Sequence, residues 1–86
     1  MPWRVELGRR GERDLDRLPV EDQDAVLVAL QRLSDDPSRV DFRKLAGRSN
    51  GWRLRVGRWR VLLEGDNRSG VMTVTRVLDR RDAYRG

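Results

Sequence analysis

The alternation of apolar and polar positions marks four extended segments. Residues 3–7, Trp-Arg-Val-Glu-Leu, alternate with period two and predict a first strand, ended by Gly8. Residues 52–56 alternate without exception, with Trp52, Leu54 and Val56 on one face and Arg53 and Arg55 on the other. Residues 58–64 repeat the pattern: Trp59, Val61 and Leu63 share a face, and Arg58, Arg60 and Leu62 share its reverse. Residues 71–78 are rich in Val and Thr and predict a last strand. Gly57 reads as a tight turn, and Asp66-Asn67-Arg68-Ser69-Gly70 as a hairpin loop.

Helical spacing fills the region between the first two of these strands. Residues 9–18 are polar, with Leu15 and Leu18 three apart, and predict a short helix stopped by Pro19. Pro19 can open the next helix, where its missing N–H costs nothing. Glu21, Asp22 and Asp24 load that N-terminus with negative charge, which favours the helix dipole. Val26, Leu27, Leu30 and Leu33 then recur at helical spacing, so residues 20–33 form the main helix, ended by the turn cluster at 34–38. Residues 39–51 read as irregular, with Phe42 and Leu45 as core plugs, and residues 79–86 as a polar tail carrying Tyr84. The order is β-α-α-β-β-β. It predicts an α+β fold, with two N-terminal helices packed on a small, mostly antiparallel sheet.

The 86 residues make one domain, 1–86, with a single core. The chain has no Cys and no His. That excludes disulfides, thiolate chemistry, a Ser-His-Asp triad and a Cys/His zinc site, and no metal or cofactor is expected. No apolar run approaches the roughly 18 residues of a membrane span, and no signal-peptide core follows the N-terminus. A cytoplasmic protein with no membrane partner is expected. The net charge is +5, unevenly spread. Residues 1–45 hold nine basic and ten acidic side chains; residues 46–86 hold ten arginines against four acids. Arg presents a planar fork that grips phosphate in a bidentate way, so this half reads as a phosphate or nucleic-acid surface.

Alternation sends Arg53 and Arg55 to one side, and a hairpin would bring Arg60 beside them. Like charges across strands repel, a cost that a bound polyanion would offset. The same pattern is also that of the wet side of an amphipathic sheet. Arg80 and Tyr84 are four apart, so one helical turn would put them on one side. Tyr84 taken alone also reads as a C-terminal anchor for the core edge. Trp52 and Trp59 fall on the core face and read as packing residues.

The stretch Trp52-Arg53-Leu54-Arg55-Val56-Gly57-Arg58-Trp59-Arg60-Val61 resembles the central hairpin of RelE/ParE-superfamily toxins, often aromatic-R-L-R-V-G-D-Y-R-V. Arg43-Lys44-Leu45-Ala46-Gly47 resembles the lead-in K-L-x-G of that superfamily. Val74-Thr75-Arg76-Val77, followed by Arg80-Arg81-Asp82-Ala83-Tyr84-Arg85, resembles its last strand and H-R-x-x-V-Y ending. The resemblance runs in order along essentially the whole chain. Arg58 stands where the family often has Asp. Leu78-Asp79 stands where it has Gly and a basic residue, which puts a carboxylate beside Arg80, poised to pair with it.

The resemblance implies a toxin of a type II toxin–antitoxin pair, held inactive by a cognate antitoxin in a hetero-oligomer. RelE-type members cut mRNA in the ribosomal A site, against 16S rRNA; the alternative, a ParE-like member, poisons DNA gyrase without nuclease activity. The positions matching the RelE-type catalytic set are Arg53, Arg55, Arg60, Arg80 and Tyr84. Lys44, Arg48, Arg58, Arg76, Arg81 and Arg85 are expected to contact RNA phosphates. In such an endoribonuclease the RNA supplies its own nucleophile, the 2′-OH, and the enzyme aligns it, removes its proton and stabilises the added charge. Tyr84 is the base candidate. Its ordinary pKa is about 10, and surrounding Arg would favour the phenolate. Arg53, Arg55 and Arg60 would hold the phosphates, with Arg80 nearest the leaving oxygen.

Overall fold

The structure, a computed structural model, describes residues 3–47 and 50–83. Strand β1 (Arg4–Leu7) leads into helices α1 (Arg9–Asp16) and α2 (Val20–Asp35), then a 3₁₀ turn (Pro37–Arg39). Four strands follow, β2 (Asp41–Lys44), β3 (Gly51–Val56), β4 (Trp59–Asp66) and β5 (Val71–Asp79), and a last helical turn, α3 (Arg80–Ala83). The sheet order is β1-β5-β4-β3-β2. β1 runs parallel to β5, and the other neighbours are antiparallel.

Both helices cover one face of the sheet. α2 buries Val26, Leu30 and Leu33, one stripe at helical spacing, against Leu54, Val61, Leu63, Met72, Val74 and Val77 of the sheet. Trp3, Trp52 and Trp59 are half-buried around this core. Pro19 stands just ahead of α2, and its carbonyl accepts the amides of Asp22 and Gln23 at 2.9 Å each. Asp36 leaves α2 in an extended conformation and caps the 3₁₀ turn, accepting the Ser38 amide at 3.1 Å and its hydroxyl at 2.7 Å.

α1 is shorter than its polar pattern predicts, ending at Asp16, yet Leu18 still reaches the core through a tight turn in which its amide donates to the Leu15 carbonyl at 3.1 Å. β1 stops opposite Val74, and α1 then takes over the edge of β5. The Gly8 amide donates to the Val74 carbonyl at 2.8 Å, and further along the Val77 amide donates to Asp14 Oδ2 at 3.0 Å. The open edge of β5 is thereby satisfied by a helix instead of a strand.

Two further features depart from the pattern reading. The segment expected to be irregular contains β2, paired antiparallel with β3. Three of its four residues are charged, so the local signal is weak, and the partner strand supplies the order. Phe42 does serve as a plug: its ring stacks on Trp52 with centroids 4.6 Å apart. The second departure is a bulge. Leu63 pairs with Val74 but Leu62 pairs with Arg76, leaving Thr75 unpaired, its hydroxyl donating to the Leu62 carbonyl at 3.1 Å. The extra residue lets Val74 and Val77, three apart, both face the core and turns Arg76 to the opposite face.

Candidate nucleic-acid interface

The face of the sheet away from the helices is built by register. Gly57 has φ 57° and opens the two-residue β3–β4 turn, whose Arg58 keeps negative φ. That is the pattern of a II′ turn, which needs glycine first and matches strand twist. The turn fixes Arg55 directly opposite Arg60 and Arg53 opposite Leu62. β2 and β5 extend these pairs into two rows across the sheet, Asp41-Arg55-Arg60-Leu78 and Arg43-Arg53-Leu62-Arg76. Directly opposed side chains start only about 5 Å apart at Cβ.

The arginines of this face are not equivalent. Arg53 lies along the sheet with its side chain 17% exposed, and its Nη1 is 3.3 Å from Asp41 Oδ1. The same oxygen is 3.8 Å from Arg43 Nε. Asp41 therefore pins Arg53 and leaves Arg43, far more open to solvent, at the rim. Arg55 is exposed, and among the described residues no carboxylate is within ion-pair distance of it. It also lines an open groove of about 550 Å³ between α2 and β3, together with the acids Glu21, Asp24 and Asp41 and with Arg32. Arg60 is half-buried next to Leu78. The register thus sets Arg55 and Arg60 across from each other, with Arg53, held by Asp41, two residues along β3.

The end of the sheet is tied by Asp79. It was expected to pair with Arg80; instead it accepts Arg58 Nε at 3.1 Å, with Arg58 Nη2 also bonded, and its other oxygen accepts the Arg81 amide at 3.1 Å. Arg81 Nε is 3.6 Å from that oxygen. Asp79 stands at the start of α3, where a carboxylate meets the first amides, and Trp59 opposes it in register, bringing Arg58 alongside. The Arg58 hydrogen bond, then the Arg81 amide, holds the Asp79 carboxyl below its ordinary range. The Arg80 amide donates to the Arg58 carbonyl at 2.7 Å, and its side chain is exposed.

The structure thus brings together Arg53, Arg55 and Arg60 of the expected catalytic set, and Arg80 stands at the adjoining end of β5. Other expected contacts are dispersed. Lys44 opposes Trp52 on the helix side of the sheet, its Nζ 5.9 Å from that ring. Arg76 is turned to α1, its Nε 2.7 Å from Asp14 Oδ2. Arg58 and Arg81 serve Asp79, and Arg58 also lies over the Trp59 ring at 5.1 Å. Tyr84, Arg48 and Arg85 lie outside the described residues. Asp41 and Arg43 are site residues that pattern reading passed over. The alternation Val40-Asp41-Phe42-Arg43 was the signal for them. Among the described residues, no group of three or more Asp or Glu could hold a metal ion.

No protein-family model and no curated protein matches this chain. Solved structures do. The toxin–antitoxin complex RelBE2 from Mycobacterium tuberculosis contains a chain 30% identical, with TM-score 0.77, covering 93% of this chain and 100% of that one. This chain belongs to the RelE toxin family. A mutant of E. coli RelE in the free state has the same fold, with TM-score 0.78 at 17% identity over 98% of this chain and 90% of that one. So has a chain of the RelB-RelE complex from Methanococcus jannaschii, with TM-score 0.76 at 21% identity over 91% and 93%. Arg58 and Asp79, two of the positions at which the chain departs from the family's pattern, lie against each other as an ion pair.

Proposed function

We propose that this RelE-family toxin is a cytoplasmic, ribosome-dependent mRNA endonuclease, neutralised by a cognate antitoxin. What carries the reading is the opposition of Arg55 and Arg60 in register, beside Arg53 pinned by Asp41. Like charges set directly across a strand pair repel, a cost that a bound polyanion offsets. A phosphodiester held between those forks gains charge in the transition state, where fixed guanidiniums stabilise it most. The RNA brings the 2′-OH, so the protein's work is alignment and charge stabilisation, with Tyr84 as base and Arg80 toward the leaving oxygen. Free RNA would be a poor substrate, and the ribosome would order the strand. The antitoxin partner is supported by the complexes in which the similar toxins were solved.

The test is in vitro translation with primer extension on a defined mRNA. The wild-type chain should cut within coding sequence only when ribosomes are present. Arg55→Ala and Arg60→Ala should each lower the cleavage rate by about 10²-fold, the loss typical of one fixed donor. Tyr84→Phe should lose cleavage while retaining thermal stability. Uncut mRNA at full toxicity, with DNA replication stalled in cells, would transfer the chain to the gyrase-poison class.

A further inference from the structure

The N-terminal half has no net positive charge, but the fold places three of its arginines beside the basic half. Arg10, Arg13 and Arg17 recur at three and four residues along α1 and its C-terminal turn, so they share one side. They converge on a cleft of about 180 Å³ whose remaining lining is Asp14 and Arg76. Four arginines and one carboxylate line it. That carboxylate is occupied, because Oδ2 of Asp14 already takes Arg76 Nε at 2.7 Å and the Val77 amide at 3.0 Å. No carboxylate among the described residues lies within ion-pair distance of Arg10, Arg13 or Arg17. The other acids of α1, Glu12 and Asp16, do not line the cleft.

Arg76 connects this cleft to the arginine face. The bulge at Thr75 puts it in the row with Leu62, Arg53 and Arg43, while its guanidinium reaches round the edge of β5 to α1. Arg76 thus stands between the cleft and the arginine face, one row position from Arg53 across Leu62. We propose that the α1 cleft is a second anchor for RNA backbone phosphates, extending the track that begins at Arg55 and Arg60. This rests on the RNA reading of the sheet face. An acidic protein segment fits less well, since docking peptides bury apolar anchors; none of the five residues lining this cleft is apolar, and the adjoining pocket that offers Leu18, Trp59 and Leu78 also carries Asp79 and Asp82, which repel an acidic segment. Phosphates need only the guanidinium forks.

The test compares the whole wild-type chain with the triple variant Arg10→Gln, Arg13→Gln, Arg17→Gln and with Arg55→Ala/Arg60→Ala. Binding of a short labelled single-stranded RNA and of a labelled RNA hairpin is followed between about 50 and 200 mM salt. The triple variant should lose about tenfold or more in affinity, and its slope of log K against log salt should flatten by about two to three, near one per lost contact. Loss on the single strand assigns the cleft to the message, and loss on the hairpin alone assigns it to folded RNA; either supports the proposal. Thermal stability should hold or rise as like-charge repulsion is relieved. A triple variant with wild-type affinity and slope overturns the proposal and leaves the sheet site standing. Loss in the triple variant without loss in Arg55→Ala/Arg60→Ala removes the sheet-face reading and overturns the proposed track, leaving the cleft as a separate phosphate site. If the triple variant fails only to bind polyglutamate, the cleft is a protein contact and the proposal falls.

Discussion

Gly11 tests the packing of α1 with an effect whose sign is in dispute between helix propensity and tertiary structure. In an isolated helix, Gly→Ala stabilises by about 1 kcal/mol. Here Gly11 is buried, and a Cβ added to it would stand 2.5 Å from the Val74 carbonyl oxygen and 2.9 Å from Val74 Cγ1. The first of these atoms is backbone in the middle of the sheet, so α1 must move. Overpacking of this kind costs about 1–3 kcal/mol. Lifting the helix also stretches the Gly8–Val74 hydrogen bond, worth about 0.5–1.5 kcal/mol. The net expectation for Gly11→Ala is a loss of about 1–3 kcal/mol. For a chain of 86 residues, total stability is about 4–13 kcal/mol, so the loss is a large share. The melting temperature should fall by roughly 4–8 °C per kcal/mol. Urea unfolding followed by far-UV circular dichroism reads the free energy directly. Glu12→Ala, on the exposed side, serves as control and should change stability by less than about 0.5 kcal/mol. If Gly11→Ala is as stable as wild type or more so, α1 does not sit on β5 as described, and propensity governs that helix.

Leu54→Ala removes a side chain fully enclosed at the centre of the sheet and should cost about 2–5 kcal/mol by the same urea assay. Asp14→Ala should cost about 1–3 kcal/mol, because it strands the Val77 amide and the Arg76 guanidinium, and Asp14→Asn should recover part of that. Burial raises the Asp14 pKa, but the Arg76 hydrogen bond and the Val77 amide outweigh it, so the value lies below the ordinary 3.8. A carboxyl whose pKa is lower folded than unfolded adds stability above the unfolded value, and that stability is lost as pH falls through the folded one. Below about pH 4, wild type should therefore lose stability faster than Asp14→Asn, and parallel curves would refute the assignment. Arg58→Ala and Asp79→Ala should each speed hydrogen exchange at the Arg80 and Arg81 amides, with no further increase in the double variant. The exchanged pair Arg58→Asp/Asp79→Arg should restore protection at the Arg80 amide but not at the Arg81 amide, because an arginine at 79 has no oxygen to accept it; additive effects at the Arg80 amide would show that the two side chains act separately.

Much of this fold was legible because its signals are local. Perfect alternation at 52–56 and 58–64, a glycine suited to the tight turn, and acids ahead of an apolar helical stripe each reflect a backbone geometry that a few neighbouring residues decide. The α+β class, both helices and four of the five strands followed, and so did the placement of Arg53, Arg55 and Arg60 on one face. β2 was not legible, since a strand of mostly charged residues exists only because β3 lies beside it.

The remaining decisions are long-range. Asp14 is bonded to residues 62 and 63 positions away, and Asp79 to one 21 positions back, so nothing near either residue in the chain names its partner. The bulge at Thr75 depends on how β4 and β5 mesh, and it alone decides that Arg76 leaves the core side. Local pattern established which residues alternate, where chain direction changes, and that the second half is rich in arginine. Tertiary structure decided which arginines are held by carboxylates and which face solvent, because an ion pair needs two charges within a few ångströms, and only the folded chain sets that distance.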